Sequence, residues 1–330
     1  MWLELQDALE SVWRKIQLFS VALLHLLFSS DKRWVQEKAL EEEEQQQRKK
    51  TDAEVLPLND DDDSDAPWKC TKVKQIVFIR HAESEWNVVF NRGLGLAMVF
   101  NLFRSLLREM LMLPTRDSIF IDAPLSRRGL RQAQRLYDHV NSKSYPHEDH
   151  LLAYLCSPLP SSVVVASNLR RAIDTARIAS AARLELPGER IHVLSCLQEI
   201  GRNVDTLALS DAYAIEPIIL SQALQLGKRQ DELFNLSESH GNKAVRGCAR
   251  QRLLTFTKWA LCRQEDVVVV YGHSLWFKEF CREFMPSTTF HEAKERKMTN
   301  CGVAGCKLEE RRCNGRTIYR IDPESFHFLR

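Results

Sequence analysis

Apolar residues recur near the start of the chain at alternating steps of four and three: Leu5, Leu9, Val12, Ile16, Phe19, Leu23 and Leu26. That spacing predicts one helix with a continuous apolar seam. From Ile16 to Phe28 it becomes apolar nearly all round. A polar helical stretch follows from Glu41 to Lys50, with Glu44 and Arg48 four apart in the favourable order. After Trp68 the rhythm changes. Short β-branched runs, Val73 to Ile79, Ser162 to Ala166 and Asp266 to Tyr271, read as strands covered on both faces. Ile191 to Leu194 is strand-like, and Gly302 to Leu308 and Thr317 to Ile321 read as late strands. Helical patterns lie between them, at Arg127 to Val140, Asn168 to Arg183, Gly241 to Arg263 and Leu275 to Phe284. Alternation of this kind predicts an α/β fold, a three-layer α/β/α sandwich around a mostly parallel sheet. Extra N-terminal helices precede it, and a helical insertion interrupts it.

That insertion, at about 92–121, is built on Leu94 to Leu113. Asn101, Arg104, Ser105, Arg108 and Glu109 form a narrow polar stripe on an otherwise apolar helix. Such a helix must be covered, and the N-terminal helix is the expected cover. Peripheral membrane contact through residues 1–28 or 94–113 is the alternative. The fully apolar part of the first helix rises only about 20 Å, short of the hydrocarbon core of about 30 Å. Glu4, Asp7 and Glu10 stand where a signal or transit peptide would be basic or uncharged. Residues 1–67 therefore read as a helical extension with an acidic linker, and 68–330 as the main domain. The linker, from Asn59 to Pro67, carries five aspartates and no large apolar residue. It lacks the spacing and turn glycine of a calcium loop.

Composition adds little. Of 330 residues, 44% are hydrophobic and 27% charged, as in an ordinary soluble protein. A net charge of +2 gives no case for nucleic acid. The nine cysteines read as reduced thiols of a cytoplasmic protein, with membrane association left open by the apolar helices; Cys301, Cys306 and Cys313 lack metal-site spacing.

The chemistry lies at the strand ends, where open α/β sheets bind ligands. Arg80-His81 follows the first strand, Ser167-Asn168-Leu169-Arg170-Arg171 the second, and Gly272-His273 the third. Converging arginines and histidines make an anion site, and phosphate suits arginine best. A neutral imidazole can attack phosphorus, guanidinium groups can stabilise the transferred group, and a carboxyl can protonate the leaving oxygen. Glu199, following Ile191 to Leu194, is the candidate acid.

The segment Arg80-His81-Ala82-Glu83-Ser84-Glu85-Trp86-Asn87 closely resembles the Arg-His-Gly-Glu-Ser-x-Trp-Asn signature of the histidine phosphatase superfamily, phosphoglycerate-mutase-like branch. Asp122-Ala123-Pro124-Leu125-Ser126 through Gly129 to Gln132-Ala133, and Ser167-x-Leu169-x-Arg171-Ala172-x-x-Thr175-Ala176, resemble its later motifs in the same order. The resemblance spans roughly 73–320. It implies a phosphohistidine on His81, a phosphate pocket of Arg80, Arg171 and His273, a hydrogen bond from Asn87, and Glu199 as proton donor. It selects Arg171 over Arg170 and implies neither metal nor cofactor. Ala82 and Ser274 stand where the family commonly has glycine, and the link from Asn87 to Asp122 is unusually long.

A phosphatase acting on a small phosphorylated metabolite or a phosphoprotein is the first expectation. Arg92, Arg202 and Lys243 are candidate contacts for a substrate's remote acidic groups. A mutase is the alternative, but Ile200-Gly201-Arg202-Asn203 departs from the mutase pattern after the acid. Tyr271-Gly272-His273-Ser274-Leu275-Trp276 nearly spells a hydrolase nucleophile elbow, but Trp276 replaces its glycine. A catalytically inactive interaction module is the third alternative, disfavoured because every catalytic position is filled.

Overall fold

The valine-rich runs become the middle of one seven-stranded sheet. In a computed structural model, residues 2–31, 36–37, 68–90, 95–142, 150–157, 161–215, 219 and 228–329 are described. The polar helix expected at 41–50, the acidic run 59–67 and Arg92 lie outside them.

The strands are β1 (Lys69–Arg80), β2 (Ser162–Ser167), β3 (Ile191–Leu194), β4 (Phe234–Asn235), β5 (Val267–Gly272), β6 (Val303–Cys313) and β7 (Arg316–Leu329). Their order is β4-β3-β2-β5-β1-β6-β7. The five strands from β4 to β1 run parallel, while β6 and β7 are antiparallel additions at the β1 edge. The chain leaves β1, skips one place to β2, moves outward to β4, and returns to fill the gap with β5. The carboxyl ends of β2, β5 and β1 therefore lie side by side at the switch in strand order, where ligands collect in such sheets.

Alternation along the strands divides the core. Ile76, Phe78, Val165, Val268 and Val270 face one side, against α7 (Ala249–Cys262) and α8 (Ser274–Phe284). Val77, Ile79, Val164, Val269 and Tyr271 face the other, against α4 (Arg127–Asn141), α5 (His150–Cys156) and α6 (Arg170–Ala179). This is the expected three-layer arrangement, with each buried large apolar side chain contributing roughly 1.5–3 kcal/mol. The expected helix over Asn168 to Arg183 breaks at Ser180, whose hydroxyl bonds the Tyr271 hydroxyl at 2.7 Å. The expected helix from Gly241 begins only at Ala249, because Gly241 takes a left-handed φ of 80° and Asn242 is drawn into side-chain bonds with Gln198 and Ala208.

Two further helices lie early in the connection from β1 to β2: α2 (Glu85–Phe90), which sequence periodicity did not reveal, and α3 (Leu96–Leu111), the insertion helix. The N-terminal helix α1 (Trp2–Phe28) packs Leu18, Phe19, Val21 and Ala22 against Ile121, Val204, Leu207 and Leu209. The expected covering of α3 by α1 does not form. Their junction is polar: the Lys15 ammonium bonds the Met112 carbonyl and lies 4.0 Å from Glu109 Oε1.

Candidate active site

His81 leaves the end of β1 held on both sides. Its N–H donates to the Gly272 carbonyl at the end of β5 (3.0 Å), and its carbonyl accepts from Asn300 Nδ2 (2.9 Å). Its Nδ1 lies 2.7 Å from the Ala82 carbonyl. A carbonyl only accepts, so this bond places the proton on Nδ1 and leaves Nε2 with a lone pair. Burial, then Arg171 and Arg80, push the imidazole well below its usual pKa. His81 is therefore neutral, as an attacking nitrogen must be.

The next residues explain why the signature takes the form it does. Ala82 donates to Thr175 Oγ1 (3.0 Å) and packs its methyl group with Leu125 and Ala133, so alanine fits where glycine is usual. Glu83 and Ser126 bond through main chain and side chain, at 2.9 and 2.8 Å. Gly129 is required, because a Cβ there would sit 2.0 Å from the Glu83 carbonyl oxygen. Asn87, on α2, accepts from the Ser84 N–H at 3.2 Å, which leaves its Nδ2 donor for another partner.

The adjacent arginines of α6 diverge. Arg170 bonds Asp117 (2.5 Å), the Ser118 carbonyl and Asp122, a structural role. Asp122 itself takes a left-handed φ of 51° while its carboxylate accepts from the N–H groups of Arg170 and Leu209. Arg171, 2% exposed, turns toward the two histidines. It is held by Asp205, through the carbonyl at 2.7 Å and the carboxylate at 3.4 Å. Burial raises Asp205 to about 6 against the pull of Arg171.

His273 caps the start of α8, with its ring centroid 5.1 Å from that of His81. Burial, then Arg171, His81 and Arg80, lower it well below its usual value. Arg80 bonds the Met298 carbonyl at 2.5 Å. Four buried polar atoms at these strand ends have no protein partner: Arg80 Nε, Arg171 Nε and both ring nitrogens of His273. Buried polar groups are nearly always paired, so such a concentration marks a place shaped for something else.

Glu199 stands beside this group, near enough to Arg80 to favour its charge. Its Oε1 accepts from the N–H groups of Ile200 and Trp276, both at 2.9 Å. Lys243, expected as a substrate contact, instead lies behind Glu199. Its ammonium donates to the carbonyls of Glu199 and Gly201, both at 2.7 Å, and to Asp31 at 2.8 Å. Arg252 also grips Asp31, at 2.8 and 3.1 Å. Burial pushes the Asp31 carboxyl up, but the two cations outweigh it and hold it below the usual value. Burial takes Lys243 down to about 8. Arg202 is half-buried near the same loop, and its Nε has no partner.

The site thus brings together Arg80, His81, Arg171 and His273, with Glu199 at their side and Asn87 on the neighbouring helix. Sequence reasoning missed Asp205, Asn300 and Asp31. Nothing local distinguishes them; each matters through a contact distant in sequence. Among the described residues, no cluster of histidine, cysteine, aspartate or glutamate has the arrangement of a metal site.

The model of the histidine phosphatase superfamily (branch 1) matches residues 118–319, beginning just after the insertion helix. No curated protein matches the chain. Similar solved structures include mycobacterial hydrolase 1, 16% identical, covering 76% of this chain and 97% of that one with a TM-score of 0.37. A mycobacterial glucosyl-3-phosphoglycerate phosphatase is 15% identical over 76% and 98% of the two chains, with a TM-score of 0.36. A phosphoglycerate mutase from Thermus thermophilus is 16% identical over 75% and 98%, with a TM-score of 0.32.

Proposed function

The chain belongs to the histidine phosphatase superfamily, and on that premise we propose that it hydrolyses a phosphomonoester through a phosphohistidine on His81. The observation that carries this reading is the His81 imidazole, neutral by burial and oriented through Nδ1, beside the partnerless Arg80 Nε, Arg171 Nε and His273.

In the first step His81 Nε2 attacks phosphorus, the N–P bond forms, and the ester P–O bond breaks. Glu199 delivers its proton to the leaving oxygen. Arg80, Arg171, His273 and the Asn87 amide hold the phosphoryl oxygens, where charge is spread in the transition state. In the second step Glu199 takes a proton from water as its oxygen bonds phosphorus and the N–P bond breaks, restoring both residues. Asp205 keeps Arg171 aimed, and the Lys243–Asp31 pair fixes the loop that carries Glu199. The substrate is a small phosphorylated metabolite or a phosphoprotein, and Arg202 is available to its remote acidic groups.

The test is phosphate release by the full chain from an aryl phosphate, a panel of sugar and glycerate phosphates, and phosphopeptides. Release that disappears in His81→Ala supports the reading. Interconversion of phosphoglycerates without net release replaces it with a mutase, and unchanged turnover in the variant sinks it.

A further inference from the structure

Amphipathic helices on soluble domains turn their apolar stripe inward. The helix α3 does the reverse, and α1, although it packs Leu18, Phe19, Val21 and Ala22 on the domain, leaves a second apolar row outside. On α3, Ser105 and Glu109 are buried, and Glu109 accepts from Ser118 Oγ and the Ile119 N–H. Arg108 reaches Glu85 on α2 at 3.3 Å. The opposite side, with Leu96, Val99, Phe100, Phe103, Leu107 and Met110 at helical spacing, faces out; Phe103 is 67% exposed. On α1 the buried positions are Ser11, Lys15, Ala22 and His25, while Leu5, Leu9, Trp13, Ile16, Leu23 and Leu27 face out, Trp13 at 62%. The two polar faces meet at the Lys15–Glu109 contact. Each helix thus leaves a row of large apolar side chains in water, more than scattered exposed residues on a soluble domain account for.

Three observations identify what covers it. First, α1 is long and apolar enough to cross a membrane, but it is tied down along its length. Arg14 binds the Leu209 carbonyl and Asp211, Lys15 binds Met112, and Ser30 and Asp31 just past its end bind Gly247, Lys243 and Arg252. It lies along the protein's surface and does not stand away from it. Second, a cavity of about 490 Å³ flanks α3, lined by Arg104, Arg108, Arg127, Arg128 and Arg131. Glu85 also lines it and pairs with Arg108, and Glu83 lies 3.9 Å from Arg128, so the five arginines outnumber the carboxylates beside them, and Arg104 borders the apolar stripe. Third, Trp13 sits within the α1 stripe, and tryptophan favours the boundary between headgroup and acyl chain. A second copy of the chain fits less well, since an isologous pair on this face would bring two arginine clusters into one interface.

We propose that α1 and α3 seat the protein on an anionic membrane surface. The apolar stripes enter the acyl boundary, and the arginine cavity takes lipid phosphates. Substrate hydrolysis at His81 is not needed for this binding.

Sedimentation of the full chain with vesicles is the test. Vesicles of phosphatidylcholine with about one-quarter phosphatidylserine are expected to pellet the protein about tenfold more strongly than phosphatidylcholine alone, an advantage that high salt removes. Phe103→Glu with Met110→Glu, both at exposed positions, is expected to cut pelleting at least about tenfold with phosphatase turnover in vesicle-free buffer unchanged. Arg104→Glu with Arg131→Glu is expected to erase the preference for anionic vesicles. Absence of wild-type pelleting, or undiminished pelleting of the Phe103→Glu, Met110→Glu variant, overturns the proposal. So does a concentration-dependent dimer that this variant makes monomeric in the absence of vesicle binding, which assigns the face to a second copy.

Discussion

At the carboxyl ends of β1, β2 and β5 the protein buries cations and titratable rings; along α1 and α3 it exposes hydrocarbon. Both regions reverse the usual order of polar outside and apolar inside, in opposite senses. The buried groups at the strand ends lack partners, with Arg80 Nε, Arg171 Nε and His273 unpaired. The exposed helix faces lack cover. Local rules of folding are broken where a protein meets something outside itself. On the two proposals made above, the reversals answer to two different ligands: a phosphoryl group at the strand ends, and a lipid surface at the helices. If the regions are separate in function, changes in one leave the other's readout unmoved.

Arg171→Ala gives the sharpest break on the strand-end side. It removes a guanidinium of the proposed phosphoryl pocket, and kcat/KM is expected to fall by about 10²- to 10³-fold, with vesicle binding unaltered. Glu199→Gln removes the proposed acid and is expected to lower kcat by about 10²-fold on alkyl phosphates. The loss should be much smaller on an aryl phosphate, whose leaving oxygen hardly needs a proton. A purely structural role for Glu199 would lower both equally. Asp31→Asn tests the link between the regions, because Asp31 follows α1 and supports the Glu199 loop. Lys243 and Arg252 would lose their buried countercharge, at an expected cost of about 3 kcal/mol in a denaturant titration. A drop in kcat of about tenfold should accompany it, with KM little changed.

The smallest effect is on stability against pH. His81 and His273 have pKa values held below 6.5 in the folded state. As pH falls through 6.5 the unfolded chain takes up protons that the folded chain refuses, so stability declines. Asp122 and Asp205, raised to about 6, act the other way around that pH, since the folded chain then binds the extra proton. The two sets overlap between about pH 6.5 and 6, but His25, His192 and His291 are lowered as well, so the histidine trend outweighs the two aspartates there. There the melting temperature should fall in the wild type and fall less in His81→Asn.

Much of the strand-end region was legible in the sequence, because a buried parallel strand is written as an unbroken β-branched run and the next residue is the one the sheet presents to ligand. That rule points to Arg80-His81 and His273 as candidates, whereas the choice of Arg171 over Arg170 rests on the resemblance to the family's motif. Asp205 and Asp31 were not, since their roles arise from contacts at long sequence separation: Asp31 meets Lys243 across 212 positions. The helices show a different limit. Periodicity revealed both apolar seams but not which way they face. A stripe at spacings of three and four is compatible with either side turning inward, and here Lys15, Glu109 and Asp31 decide it with polar bonds to the protein. The six-residue α2 is too short to show a period at all.

The most direct measurement is rapid-quench trapping of the phosphorylated enzyme. The wild type, mixed with a turned-over aryl phosphate and denatured in alkali, should retain stoichiometric phosphate. That phosphate should be stable to base and labile to acid, and peptide mapping should place it on the segment containing His81. Phosphate that persists in His81→Ala, or maps to Ser274 in acid-stable form, would contradict the phosphohistidine reading.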